Sequence, residues 1–170
     1  GHPLREHLEA VNHLEAWRMM RRLASGQEDV TEADVLAATE YVCPCFEIVD
    51  SRITDWRIAI QDTIADNASC GVFLLGAAKA DPNALDLAAV QMRITKNGEH
   101  AADGQGSAVQ GHPATAIAWL ANTLGEYGIP LLAGETILSG SLAPLLPARP
   151  GDHFHLTLDG IGEASVAFAA

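Results

Sequence analysis

An apolar, strongly β-prone run that carries charged side chains is the feature that most limits how this chain can fold. Residues 45–53 read Cys-Phe-Glu-Ile-Val-Asp-Ser-Arg-Ile, and they follow Pro44, which excludes a continuing helix. The run predicts a strand over residues 46–53. Its acids and its arginine must be paired or coordinated, because an isolated charge is costly to remove from water. Since a hard cation bound through oxygen meets that need, the region is interpreted as a divalent-metal or acid–base site.

Strand alternation separates the polar side chains of this run. Glu47 points to one face, while Asp50 and Arg52 share the other, so the two acids are not a chelating pair. For Asp50 and Arg52 the simplest interpretation is a structural ion pair. Glu47 has no basic residue close to it in sequence, and it is interpreted either as a functional acid or as one end of a salt bridge to a distant arginine.

A second polar block lies directly before the apolar run Cys70–Leu75. It contains Asp62, Asp66, Asn67 and Ser69. Turn formation or N-capping explains any one of these residues. Because all of them stand at the entrance of a predicted strand, the block is also suited to orient a substrate, and both interpretations stay open.

Composition and charge narrow the class of protein. The chain has 170 residues, of which 48% are hydrophobic, as is typical of one globular domain with a sizeable core. Its net charge of -12 argues against nucleic acid, because phosphate binding requires a basic patch. No apolar run approaches the roughly 20 residues that span a bilayer, and the N-terminus lacks a signal-peptide pattern. We therefore expect a cytoplasmic protein with no membrane and no nucleic-acid partner.

The cysteines are interpreted as reduced, buried thiols. Cys43 and Cys45 flank a single proline, which is the wrong spacing for a zinc knuckle, and Cys70 has no cysteine beside it. No disulfide framework is expected.

Apolar spacing and turn residues predict an α+β fold with a mixed, mainly antiparallel, bent sheet and a few helices. Helices are predicted over residues 4–24, over residues 31–41 behind an N-capping threonine with an acidic capping box, and from Pro113 to Gly125 or Gly128. The pair Asn97-Gly98 predicts a hairpin turn, and a glycine-rich loop is predicted at 103–107. The other predicted strands cover residues 70–75, 87–96, 99–102, 135–139, 153–158 and 164–168.

Weaker signals lie in the second half of the chain. Ser139, Gly140 and Ser141 offer hydroxyls and backbone N–H groups that could hold a carboxylate, although a plain turn explains them equally well. His112 is interpreted as a helix-capping neighbour. A histidine pair at 153 and 155 has a spacing that could chelate, but a solvated strand face is the better interpretation.

Four motifs in matching order resemble the 2-keto-4-pentenoate (2-hydroxypenta-2,4-dienoate) hydratases of the fumarylacetoacetate hydrolase superfamily, which also contains 4-oxalocrotonate decarboxylase. The resemblance covers about residues 30–168. The motifs are Val-Cys-Pro-Cys-Phe-Glu-Ile-Val-Asp-Ser-Arg-Ile at 42–53, Gln-Asp-Thr-Ile-Ala-Asp-Asn-Ala-Ser-Cys-Gly at 61–71, Gly-His-Pro with Ala-Trp-Leu-Ala-Asn at 111–122, and Ala-Gly-Glu with Leu-Ser-Gly-Ser-Leu at 133–142.

This resemblance implies a fold and a division of the chain. The sheet is expected to form the β-roll of the fumarylacetoacetate hydrolase C-terminal domain. Residues 29–170 are expected to form a hydratase-like catalytic domain, preceded by a divergent or shortened N-terminal segment at 1–28.

The resemblance also implies a Mg²⁺ or Mn²⁺ site, made of a Glu-x-Glu pair on one strand and a third glutamate on the next. Glu47 matches the third ligand and Glu15 matches the first, while Trp17 stands in place of the second. Ser69 matches a residue that contacts the substrate. Within the hydratase hypothesis, the expected catalytic residues are Ser69, Asp66 and Asn67, and the expected substrate-binding residues are Ser139, Gly140 and Ser141.

The implied activity is that of a metal-dependent hydratase in aromatic or steroid meta-cleavage catabolism. It adds water to 2-hydroxypenta-2,4-dienoate, a small 2-oxo or 2-hydroxy dienoic acid, and yields 4-hydroxy-2-oxopentanoate. The alternatives are a 4-oxalocrotonate-type decarboxylase and a non-catalytic partner subunit with the same fold. A homo-oligomer is expected, and association with a decarboxylase or an aldolase of the pathway is a further expectation.

Overall fold

The computed structural model of the chain describes residues 9–23 and 29–169. Within them, two antiparallel sheets and three helices pack around one hydrophobic core. The first sheet has the order β3-β2-β1-β6, with β7 also paired to β1, and the second has the order β5-β4-β8-β9. The strands are β1 (Glu9–Met19), β2 (Thr39–Val49), β3 (Cys70–Leu75), β4 (Gln91–Lys96), β5 (Glu99–Gln105), β6 (Thr136–Leu138), β7 (Leu146–Ala148), β8 (His153–Leu158) and β9 (Gly162–Ala167), and the helices are α1 (Glu32–Ala38), α2 (Ile60–Ala65) and α3 (Pro113–Gly125).

The predicted helix over residues 4–24 is wrong wherever the structure describes that range, because Glu9–Met19 is a strand. β1 pairs with β2 from Ala10 to Met19, and on its other side with β7 over residues 9–11 and with β6 over residues 16–18. This pairing satisfies many of the backbone N–H and C=O groups of β1 and outweighs the helical spacing of its apolar residues. Residues 20–23 are also described and are not helical, whereas residues 4–8 and 24 of the predicted helix lie outside the described residues.

The second predicted helix is confirmed, although it is shorter than expected. The Thr31 hydroxyl and the Asp34 carboxylate form the reciprocal capping box. The helix ends at Ala38 because Thr39 already begins β2, which then runs through Pro44 to Val49. The predicted strand over residues 46–53 therefore starts earlier and ends earlier than expected.

The hairpin at Asn97-Gly98 is confirmed. Both residues have positive φ, and Lys96 pairs with Glu99 directly across the turn. β5 continues to Gln105, so the first half of the predicted glycine-rich loop is strand instead. β7 was not predicted, since three residues containing a proline carry almost no strand signal.

The third helix and the fold class are confirmed. His112 caps α3 through its Nδ1, which accepts from the Ala114 N–H at 3.1 Å. The largest buried side chains, among them Trp17, Phe46 and Phe154, come from both sheets, so α3 and the two sheets share one core. The architecture is α+β with curled, mainly antiparallel sheets. No described helix has the length and apolar character needed to cross a bilayer.

Candidate functional site

The buried carboxylate of Asp66 collects hydrogen bonds from the segment that follows β2. Its Oδ2 accepts from the Ser69 hydroxyl at 2.8 Å, from the backbone N–H of Arg52 at 3.1 Å and from the Ser51 hydroxyl at 3.4 Å. The Arg52 guanidinium lies 3.3 Å from Oδ1. The structure thus joins two predicted catalytic residues, Asp66 and Ser69, in one closed polar cluster.

This cluster keeps Asp66 ionised. Burial of the carboxyl group acts to raise its pKa, but hydrogen bonds from Ser69 and Arg52 and the positive charge of Arg52 outweigh that effect. The pKa of Asp66 is therefore held below its ordinary value. An ionised acid can accept from every donor around it, so the two serine hydroxyls point their protons inward.

Arg52 does not pair with Asp50, as the sequence suggested, but with Asp66. The chain leaves the strand at Val49 and bends, so the alternation that placed positions 50 and 52 on one face ends before it reaches them. Besides the carboxylate, the guanidinium reaches two backbone carbonyls. Its Nη1 donates to the Asp66 carbonyl at 3.1 Å, and its Nη2 donates to the Cys70 carbonyl at 2.9 Å.

The turn between those carbonyls has an unusual backbone. Asn67, Ala68 and Ser69 have φ values of 51°, 56° and 54°, which places three consecutive non-glycine residues in the left-handed region. For a residue such as alanine this conformation costs on the order of 1 kcal/mol. Ser69 is buried, whereas Asn67 is exposed and is the predicted catalytic residue that faces solvent.

A second, separate polar cluster surrounds Glu15 in β1. The Glu15 side chain is only 2% exposed, and its Oε1 accepts from the Ser139 hydroxyl at 3.2 Å. Trp17 lies two residues along the same strand face and is fully buried. Among the described residues, its indole Nε1 has no partner at hydrogen-bond distance and angle. Trp17 nevertheless acts on Glu15 as a weak donor, and this interaction lowers the pKa of Glu15 slightly.

Burial raises the pKa of Glu15 to about 7. Hydrogen bonds, including that from Ser139, lower it by less than burial raises it. Near neutral pH this carboxyl group is therefore partly protonated.

Glu15 and Glu47 do not share a site, contrary to the metal pair expected from the sequence. In the β1–β2 ladder Glu15 pairs with Pro44 and Asn12 pairs with Glu47. Glu15 shares a face with its partner Pro44, and Pro44 and Glu47 are three residues apart on β2. Because side chains alternate along a strand, Glu15 and Glu47 project from opposite faces of the sheet. Glu47 shares its face with Cys45. The pKa of Cys45 is raised to about 12, by burial first and then by the charges of Cys43, Glu47 and, least, Glu15.

The remaining predicted residues are used within the fold. The Ser141 hydroxyl donates to the Ala143 carbonyl at 2.5 Å, and Gly140 has a φ of 140° that favours glycine. His155 bonds Ser165 across the β8–β9 ladder at 2.8 Å, as expected of a partly solvated strand face. All three cysteines are free; Cys43 and Cys45 are buried, as predicted, whereas Cys70 is only half-buried. The described residues contain no group of three or more His, Cys, Asp or Glu that could hold a metal ion.

Sequence reasoning missed the part that Arg52 and Ser51 play in the Asp66 cluster. Each residue is unremarkable by type, and their partners lie 14 and 15 residues further along the chain. One signal was available. Arg52 is the basic residue of the 42–53 motif, and the 61–71 motif contains two acids, Asp62 and Asp66, with which it could form an ion pair.

Comparison with known proteins gives a consistent result. A model of the fumarylacetoacetate (FAA) hydrolase C-terminal family matches residues 22–168. The chain is 66% identical over 139 residues to 2-hydroxyhexa-2,4-dienoate hydratase from Comamonas testosteroni. This alignment covers 82% of this chain and 53% of that protein. It is 46% identical over 141 residues to 2-keto-4-pentenoate hydratase from Paraburkholderia xenovorans (strain LB400), covering 83% and 52%.

Among solved structures, 4-oxalocrotonate decarboxylase from Pseudomonas putida G7, complexed with magnesium and adipate, aligns with a TM-score of 0.89 at 33% identity. The alignment covers 95% of this chain and 60% of that one. The same decarboxylase has also been solved with calcium and acetate. The chain spans about half the length of the curated relatives it matches.

Proposed function

This chain belongs to the fumarylacetoacetate (FAA) hydrolase C-terminal family. We propose that it forms the catalytic domain of a hydratase that acts on short 2-hydroxy-2,4-dienoates. The observation that carries this proposal is the 66% identity, over most of the chain, to a protein named 2-hydroxyhexa-2,4-dienoate hydratase. For the five-carbon substrate the product is 4-hydroxy-2-oxopentanoate, which is the dienoate plus one water. An aromatic or steroid meta-cleavage pathway supplies such dienoates.

The chemistry requires the dienol to ketonise and water to add to the far end of the conjugated system. Both steps move protons between oxygen and carbon, and groups that hold the substrate hydroxyl and the water in place accelerate them. The Ser69 hydroxyl donates its proton to Asp66, which leaves its oxygen lone pairs to accept from a substrate hydroxyl or a water. Asn67, which is exposed, offers an amide donor and an amide acceptor.

The described residues do not fit a divalent cation. Glu47 is an acid on one face of the first sheet, Glu15 lies on the other face, and Trp17 fills the place of the second acid that the resemblance implies. A hard cation needs about six oxygen ligands, and one carboxylate is far from such a set. The Mg²⁺ or Mn²⁺ cofactor, with Glu47 and Glu15 as its ligands, stays a prediction from the resemblance, and no catalytic step is assigned to it.

Decarboxylation of a 2-oxo-enoate diacid is a second candidate activity. It is favoured by one observation, the TM-score of 0.89 to 4-oxalocrotonate decarboxylase at 33% identity. The two activities are distinguished by their products, because only the decarboxylase releases carbon dioxide. The higher identity to the hydratases makes hydration the better supported candidate.

Hydration removes the conjugated dienol, so the ultraviolet absorbance of 2-hydroxypenta-2,4-dienoate is expected to fall when the purified protein is added. The six-carbon homologue is expected to react as well, given the relative named for it. Absorbance is followed with Mg²⁺, with Mn²⁺ and with no added metal. A flat trace for both dienoates under all three conditions, at high protein concentration, would reject the hydratase and leave the decarboxylase and the non-catalytic partner subunit.

Ser69→Ala and Asn67→Ala are each expected to lower kcat/KM about tenfold or more. Asn67→Ala removes the proposed amide contact with the substrate, and Ser69→Ala removes both the proposed acceptor and the hydrogen bond to Asp66. Asn83→Ala is the matched control, because Asn83 is also an exposed turn asparagine but lies in a different turn, beside Asp81. Equal activity in all three variants would show that the 67–69 turn does not contact the substrate.

The edge strand β3 supports the expected homo-oligomer. Val72 is 59% exposed and Phe73 is 49% exposed, and the next two leucines are also exposed. The outer edge of the first sheet, as far as the structure describes it, therefore carries a continuous apolar surface. Such edges associate unless they are covered. We expect a mass above that of one chain in light scattering, and a lower mass for Phe73→Lys. A wild-type protein that stays monomeric at high concentration would contradict this.

Association with a decarboxylase or an aldolase and the cytoplasmic location stay predictions.

A further inference from the structure

The Arg52 guanidinium bridges the two ends of the left-handed turn. The Asp66 carbonyl stands immediately before Asn67 and the Cys70 carbonyl immediately after Ser69, and Arg52 donates to them at 3.1 and 2.9 Å. The same guanidinium contacts the Asp66 carboxylate at 3.3 Å. One side chain thus holds both ends of a turn whose three residues all have positive φ.

Among the described residues, three other hydrogen bonds involve Ser69, and one of them runs from its hydroxyl to the Asp66 carboxylate at 2.8 Å. The Ser69 N–H donates to the Asp66 carbonyl at 3.0 Å, which closes the turn on itself, and the Ser69 carbonyl accepts from the Asp50 N–H at 2.8 Å. Ala68 and Asn67 are exposed, so packing does not hold them in the left-handed region. An unfavourable backbone conformation persists only when its surroundings over-determine it, and here those surroundings are hydrogen bonds.

We propose that Arg52 is a positioning residue that locks the 67–69 turn and thereby orients Asn67 and Ser69 toward the substrate. The orienting part of this role rests on the proposed hydratase function, whereas the locking part does not. Arginine suits the position because its planar fork presents several donors at fixed angles, so that it reaches two carbonyls and a carboxylate at once. A lysine ammonium is a point donor on a flexible stem and cannot span both carbonyls in the same way.

Cys70 provides a direct probe of the lock. Its carbonyl accepts from Arg52, and its side chain is half-buried, while Cys43 and Cys45 are 2% and 0% exposed. The native protein is therefore expected to have one reactive thiol, which Cys70→Ser removes. If Arg52 holds the turn closed, Arg52→Met should increase the rate of alkylation of Cys70 by a neutral maleimide about tenfold or more.

Arg52→Lys separates the lock from the charge. Lysine keeps the positive charge beside Cys70, so a faster thiol reaction in this variant arises from opening of the turn rather than from a change in thiolate content. We expect its rate to fall between those of the wild type and Arg52→Met. Arg93→Met is the matched control, because Arg93 is an exposed arginine with one carboxylate partner, Asp103, and its loss should leave the Cys70 rate unchanged.

The Cys70 alkylation rates test whether Arg52 locks the turn. A Cys70 rate equal to the wild type in folded Arg52→Met, with the fold checked by circular dichroism, overturns the lock. If Arg52→Met does not fold, Arg52→Lys carries the test alone, and an unchanged rate in that variant overturns the lock as well.

Activity tests the orienting part. We expect Arg52→Met to lower kcat/KM about tenfold and Arg52→Lys to restore part of it, in the same order as the thiol rates. Activity that stays unchanged while the Cys70 rate rises would overturn the orienting role. A wild-type protein without hydratase activity would instead overturn the proposed function, and the thiol rates would then decide the lock by themselves.

Discussion

Glu15→Gln is expected to raise the free energy of unfolding by about 3 kcal/mol above neutral pH and to leave it nearly unchanged near pH 4.5. In the folded chain burial raises the pKa of Glu15 from 4.5 to about 7. Between those values the folded state holds a proton that the unfolded state releases, so the stability of the wild type falls as pH rises through this interval. At about 1.4 kcal/mol for each pH unit, the interval corresponds to about 3 kcal/mol.

Glutamine removes this pH dependence because it carries no charge at any pH. Its amide oxygen can still accept from the Ser139 hydroxyl, so the hydrogen bond at that position is kept. Urea unfolding at a series of pH values measures the effect. Glu99→Gln, at an exposed position in a hairpin, is the matched control and should retain the wild-type slope. Equal slopes for Glu15→Gln and the wild type would show that Glu15 is ionised in the folded chain.

Trp17→Ala is expected to lower the free energy of unfolding by about 3–5 kcal/mol, because it leaves a large cavity at the junction of β1, β2 and β6. Trp17 is fully buried and pairs with Val42 on one side and Ile137 on the other. Trp17→Phe should cost far less, about 1 kcal/mol or nothing. It keeps an aromatic ring in the core and removes the indole N–H, whose burial without a partner costs about 1–3 kcal/mol.

Urea unfolding at one pH compares these variants with Trp119→Ala. Trp119 is 59% exposed on α3, so its loss should change stability by no more than about 0.5 kcal/mol. A Trp17→Phe protein as unstable as Trp17→Ala would mean that the indole N–H makes a favourable interaction in solution. That result would also change the interpretation of Glu15, the polar group that lies beside it on the strand face.

Local sequence signals determined several elements of this protein. The Asn97-Gly98 turn, the Thr31 capping box and the His112 cap of α3 follow from residue chemistry over a few positions, and each is present in the structure. The motifs around Glu47, Ser69 and Ser139 were likewise sufficient to indicate the family. These features depend on short-range hydrogen bonding or on residue order, both of which a sequence contains in full.

Only the tertiary structure decided the elements that depend on long-range pairing. Residues 9–19 are a strand because β2, β6 and β7 pair with them, although their apolar spacing resembles that of a helix. The register of that pairing puts Glu15 and Glu47 on opposite faces, and a chain bend after Val49 turns Arg52 toward Asp66. A shift of one residue in register exchanges the two faces of a strand without changing its composition. The sequence alone could therefore identify the acidic residues, but not which side chains each of them contacts.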